Sequence, residues 1–276
     1  MTSLRESFLP VYSPNNETTE LGDNSMLIGG SLLYLQPDED WPLCNTCAHP
    51  LVPLIQLNAS SEHTPLALRT RIPSAVPAND SRGLATMVQL FVCPETDCYD
   101  TSTNYSTETR SWVVRIATVP LVQSHSTSQK AKKKIEDGAS AGEGTGFLPP
   151  RIVETWRPGK KETFHWEVQM GQDDSDEFYD IHEPVRGLKL LGHSVRGKFY
   201  CSEEVCPQSI PNQYCDRREL IQIGDRDRFT GEDEEENGEE EESEYALGIM
   251  ATLGNTWIEQ CIDHPEVLTL TMSGNW

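Results

Sequence analysis

Short apolar segments, bounded by Pro, Gly, Asn or Asp, recur along the whole chain at 31–35, 51–57, 87–92, 112–116, 164–170, 188–191, 220–223, 245–251 and 267–272. Several alternate apolar and polar positions or carry β-branched residues, which is the pattern of half-buried strands. Long patterns with the 3.6-residue helical period are scarce. The expected fold is therefore mainly β, or a strand-dominated α+β arrangement. Residues 63–86 are rich in Pro, Ser and Thr and read as an ordered loop.

The order of these segments suggests an internal repeat. Leu27-Ile28-Gly29-Gly30-Ser31, then Cys44 and Cys47, then Leu54-Ile55-Gln56-Leu57 fill one half. Leu190-Leu191-Gly192-His193-Ser194, then Cys201 and Cys206, then Leu220-Ile221-Gln222-Ile223 follow the same order in the other. The expectation is two similar strand-rich lobes from a duplication, 1–122 and 147–276. Between them 123–146, rich in Ser, Gly, Ala and Lys, reads as a flexible linker. In the second copy 245–253 occupies the place of 87–92, with no Cys pair just after it. Trp156 and Trp166, in the arm that opens the second lobe, read as packing residues.

Charge changes this picture locally. The formal net charge is -22, with 44 acidic and 22 basic residues. Two windows, 172–183 and 232–244, carry most of the excess and contain no Lys or Arg. Like charges at such density repel, so 232–244 reads as a disordered acidic loop. The acidity argues against direct nucleic-acid binding, which needs clustered Lys and Arg, and against anionic membrane surfaces. It suits a basic protein partner instead, with Asp173, Asp174, Glu234, Glu235, Glu240 and Glu241 as candidate contacts. No apolar run approaches the roughly 20 residues of a membrane span. The first residues lack the apolar stretch of a signal peptide, so a cytoplasmic location is expected. The basic cluster Lys130, Lys132, Lys133 and Lys134 leaves the nucleus open as a second location.

In a reducing compartment, eight cysteines point to metal or free thiols before disulfides. Cys44-x2-Cys47 and Cys93-x4-Cys98 are short-spaced pairs, each beside an apolar segment. Two such pairs can close a tetrahedron around Zn2+, tying two strand ends together, and four thiolates leave no open position for water. The expected role is structural. Cys201, Cys206, Cys215 and Cys261 form a second candidate set with irregular spacing, and His193 or His264 can substitute as ligand. His49, two residues after Cys47, is a further substitute at the first site.

The ordered set Cys44-x2-Cys47, Pro50 to Leu57, Leu90-Phe91-Val92-Cys93-x4-Cys98 and Trp112-Val113-Val114-Arg115 resembles the programmed cell death protein 2 family. The resemblance covers about residues 27–120 and implies zinc at the same four cysteines. The whole-chain plan is similar to the YwqG-like family of unknown function, through the opening at Leu27–Ser31, Trp41-Pro42 and a Leu-Ile-Gln strand in each half. Thr252-Leu253-Gly254-Asn255-Thr256-Trp257 departs from that family's closing segment, lacking its Trp and Asp. Both families imply a two-lobed β-rich fold, and the first implies a chaperone for a ribosomal protein of the small subunit.

Two functions follow. One is a non-catalytic, zinc-containing chaperone or adaptor for a basic client such as a ribosomal protein. The other is an enzyme of unrecognised type, with Asp225, Arg226 and Arg228 lining a cleft between the lobes. None of the common nucleophile, metalloprotease or phosphate-loop motifs is present to support it.

Overall fold

The computed structural model describes residues 4–14, 21, 24–30, 34–36, 39–73, 75–77, 80, 82–94, 98, 111–121, 150–162, 188–192, 217–223 and 255–273. The linker 123–146, both acidic windows with their six candidate contacts, and Cys201, Cys206 and Cys215 lie outside them. So do Trp166, His193, Asp225, Arg226, Arg228 and the expected strands at 164–170 and 245–251.

The described chain is mainly β. Ten strands run in order: β1 (Arg5–Tyr12), β2 (Met26–Ile28), β3 (Val52–Asn58), β4 (Leu84–Val92), β5 (Trp112–Pro120), β6 (Arg151–Glu162), β7 (Lys189–Leu191), β8 (Arg217–Ile223), β9 (Asn255–Cys261) and β10 (Leu268–Ser273). The sole described helix, α1 (Leu66–Arg69), interrupts the segment expected to be loop throughout, and β4 begins inside the end of that segment. Pro65 fixes the backbone just before α1 and contributes the carbonyl that accepts from Leu68 and Arg69 N–H. Leu68 anchors this single turn in the core. Of the strand expected at 31–35, Tyr34 and Leu35 are irregular and 31–33 lie outside the described residues; β2 lies just upstream.

All ten strands form one antiparallel sheet in the order β10-β9-β8-β7-β1-β6-β2-β3-β4-β5. The two edge strands, β5 and β10, come close to one another, so the sheet is nearly closed. β1 pairs with β6 and β7, far away in sequence, and β2 pairs with β3 and β6. Adding five to the number of each of β1–β5, and taking five from the rest, turns the order into its own reverse.

Two irregularities recur at matched places. The β3–β4 register shifts between Pro53 and Ile55, and the β8–β9 register shifts between Glu219 and Ile221. Each bulge lets two adjacent residues, Leu54 with Ile55 and Leu220 with Ile221, enter the same apolar core. Beyond β2, Gly29 and Gly30 have φ of 62° and 75°, and at the end of β7, Leu191 and Gly192 have φ of 59° and 87°.

Alternation along the strands sorts the side chains onto two faces. Met26 and Ile28 join the larger core with Val88, Leu90, Leu220, Ile223, Ile258 and Leu270, which come from both arms of the sheet. Leu27, Ala85 and Met87 face the opposite side, in a smaller cluster with Leu21 and Tyr34. Trp156 is buried, and its indole N–H donates to Ser25 Oγ at 2.6 Å, which is the packing role expected of it. Among the described residues no helix is long and apolar enough to cross a membrane.

Candidate metal centre

The approach to β3 is a tight turn. An isolated bridge pairs Leu43 with Pro50, and Cys44 N–H donates to His49 O at 2.8 Å. Ala48 N–H returns to Cys44 O at 2.9 Å, with Ala48 held at a φ of 60°. Trp41, whose indole N–H donates to Leu51 O at 2.8 Å, pins the base of the turn to the start of β3. This geometry carries Cys44 and Cys47 on one small loop. Cys93 follows directly on β4, and its N–H donates to Ser111 O at 2.7 Å, just before β5. Because β3 and β4 are antiparallel neighbours, the start of one lies beside the end of the other.

The four sulfurs of Cys44, Cys47, Cys93 and Cys98 all lie within 4.8 Å of one another. Cys47 and Cys93 are 3.5 Å apart. A tetrahedral ion with metal–sulfur bonds of about 2.3 Å separates its ligands by roughly 3.8 Å, so the group fits such an ion closely. Cys44 and Cys93 are buried and the other two partly so, and all four are free thiols. His49 stands outside the group, contributing its backbone carbonyl to the loop.

Electrostatics favour a cation among these sulfurs. Burial opposes ionisation of Cys44, yet hydrogen bonds from the Cys47 and Thr46 backbone and from the Cys47 and Cys93 side chains outweigh it. Its thiol is held below the ordinary value, and Thr46 N–H reaches its sulfur at 3.4 Å. Cys98 moves the other way: burial and the Cys47 side chain, with the charge on Cys44 adding to them, push it up to about 12. One thiolate thus suppresses the next. Four thiolates at this spacing need a bound positive charge to coexist, and a soft or borderline metal ion supplies it.

A polar ladder braces the same arm of the sheet. Gln56 Oε1 accepts from Tyr34 N–H at 3.0 Å and from Gln89 Nε2 at 3.2 Å, and Gln89 Oε1 accepts from Arg115 Nε at 2.9 Å. Arg115 also pairs with Glu39 and lies over the Phe91 ring, 5.1 Å from its centroid. Its role is to hold the segment carrying Tyr34 and Glu39 across β3, β4 and β5.

Of the second candidate set only Cys261 is described. It ends β9, and its sulfur lies 3.5 Å from His264 Nδ1. His264 N–H also donates to that sulfur at 3.3 Å. The sequence marked His264 only as a substitute ligand, and the Cys261-x2-His264 spacing was the available signal. A second feature missed in sequence is the buried pair Lys189–Glu162, with Nζ and Oε2 at 2.6 Å and both side chains 0% exposed. The single charge inside the apolar run 188–191 is its only local trace.

No protein-family model matches this chain, and no curated protein matches it.

Proposed function

We propose that the chain is a non-catalytic binding protein: a zinc-braced β scaffold serving as chaperone or adaptor for a strongly basic client. The carrying observation is the closed four-thiol group. Its donors occupy every position of a tetrahedral ion, which suits Zn2+ in a structural role and leaves no site for an activated water. The client class comes from charge. Acidity concentrated in 172–183 and 232–244 would steer a Lys- and Arg-rich surface and shield it until release. A ribosomal protein before assembly, in the cytoplasm or nucleus, is a client of this chemistry.

The scaffold itself reads as two strand-exchanged repeats, β1–β5 and β6–β10. Three observations support that reading: the self-reversing strand order, the bulges at Leu54 and Leu220, and the paired positive φ values after β2 and β7. The φ values align Gly29-Gly30 with Leu191-Gly192, one residue away from the match that the sequence words suggest. In this reading the strand order makes β9 the counterpart of β4, the place that the sequence words give to 245–253.

The client reading is tested by capture from cell extract at low ionic strength, using the full zinc-loaded chain. Recovery of basic proteins, lost in moderate salt and on deletion of 232–244, is expected. Binding unchanged by that deletion would refute the role given to the acidic run. Elemental analysis returning no zinc from chelator-free preparations would refute the brace.

A further inference from the structure

We propose that Cys261 and His264 are ligands of a second metal ion of the zinc class, at the place in the second arm of the sheet that corresponds to Cys93 in the first. The correspondence is set by the backbone. Gln56 pairs with Gln89 and Gln222 pairs with Trp257, each one step beyond its bulge. Cys93 lies four residues past Gln89, and Cys261 lies four past Trp257. Each then makes the same closing hydrogen bond: Cys93 N–H to Ser111 O at 2.7 Å, and Cys261 N–H to Val267 O at 3.1 Å. Ser111 directly precedes β5 and Val267 directly precedes β10.

The local chemistry matches a ligand pair. Cys261 is buried, and His264 brings Nδ1 to 3.5 Å from its sulfur. A tetrahedral ion bound by one thiolate and one imidazole separates those donors by roughly 3.5 Å, from bonds of about 2.3 and 2.0 Å. The N–H of His264 donates to the Cys261 sulfur, as Thr46 N–H donates to Cys44 at the first site. Such a bond stabilises the thiolate that a metal needs. On binding, the Cys261 thiol gives up its proton to solvent and neutral His264 offers the Nδ1 lone pair.

The inference rests on the zinc reading of the first site, and the test separates the two. Elemental analysis of the full chain, purified without chelator, is expected to give about two zinc ions per chain. Cys44→Ser and Cys261→Ser should each lower this to about one, and together remove both.

Should Cys261→Ser fail to fold, His264→Gln decides, because its partly exposed side chain leaves the core intact. Exchange of zinc for cadmium-113 should give two resonances in the full chain, one from an all-sulfur site and one from a site with nitrogen. His264→Gln should move or abolish only the second. One zinc per chain, unchanged by Cys261→Ser or by His264→Gln, would overturn the second site and leave the first standing. No zinc at all would overturn both.

Discussion

Lys189 and Glu162 place a full charge pair where solvent does not reach. Burial holds Lys189 below its ordinary value, while the negative charges of Glu162 and Glu219 act in the opposite sense. Removing one member of such a pair leaves a desolvated charge, so Glu162→Gln should cost about 3 kcal/mol. Glu162→Leu with Lys189→Met should recover most of that loss, because apolar side chains of similar size avoid the desolvation. Urea midpoints of the two variants measure the difference. The sign of the pH dependence follows from the depressed lysine. Between its lowered folded value and 10.5 the unfolded chain binds more protons, so this group's contribution to stability rises with pH across that window. Lys189→Met should flatten that rise. On the zinc reading of the four-cysteine group, Cys44→Ser or Cys98→Ser should abolish metal binding and lower the melting temperature, by more in zinc-treated than in chelator-treated protein. These two sites also mark what a sequence exposes at this scale. Four cysteines in two short pairs announce themselves, since metal geometry constrains spacing along the chain. Lys189 and Glu162 meet only because β1, β6 and β7 are neighbours, and no local pattern encodes that.

Backbone conformation decides the element scale. Gly192, with a φ of 87°, has no room for a side chain: a Cβ there would overlap Glu162 Oε2 and lie 3.0 Å from its Cδ and 3.1 Å from Ser7 Cβ. Gly83 has a φ of 65° and open space around the same position. Gly83→Ala should therefore cost only the left-handed strain of about 1–2 kcal/mol. Gly192→Ala adds a clash with a buried charged pair and should cost at least twice as much, read from chemical denaturation. The strands themselves were legible where apolar or β-branched residues cluster or alternate: expected and observed spans overlap at β3, β4, β5, β7, β8 and β10. β1 and β6 were not, because each mixes Pro, charged and half-exposed positions and owes its place to pairing with the other. β9 was hidden for a related reason: Glu259 and Gln260 are buried there through partners on β8 and in the loops, Arg217, Arg71 O and Pro265 O among them.

For the whole molecule, the decisive fact is where β1 lies. Its pairing partners among the described residues, β6 and β7, both come from beyond the linker, and β2 uses β6 as one of its two neighbours. The larger core likewise mixes Val153, Trp156 and Leu190 with Ile28, Leu54 and Val88. A boundary drawn at the linker follows composition, whereas cooperativity should follow the exchanged strands. Fragment 1–122 keeps all four thiols of the first site but loses both partners of β1 and one of β2. It should give no folded monomer even with zinc present. If the two halves are exchanged repeats, a second copy can supply the missing strand, so any folded form should be a dimer swapping β1. Light scattering with amide dispersion in NMR spectra distinguishes these states. Mixing 1–122 with 147–276 should restore a one-to-one complex with the native fold, since the linker contributes none of the described pairings. A folded, zinc-loaded monomer of 1–122 would show that β1 is dispensable and that the sheet is two independent lobes placed side by side.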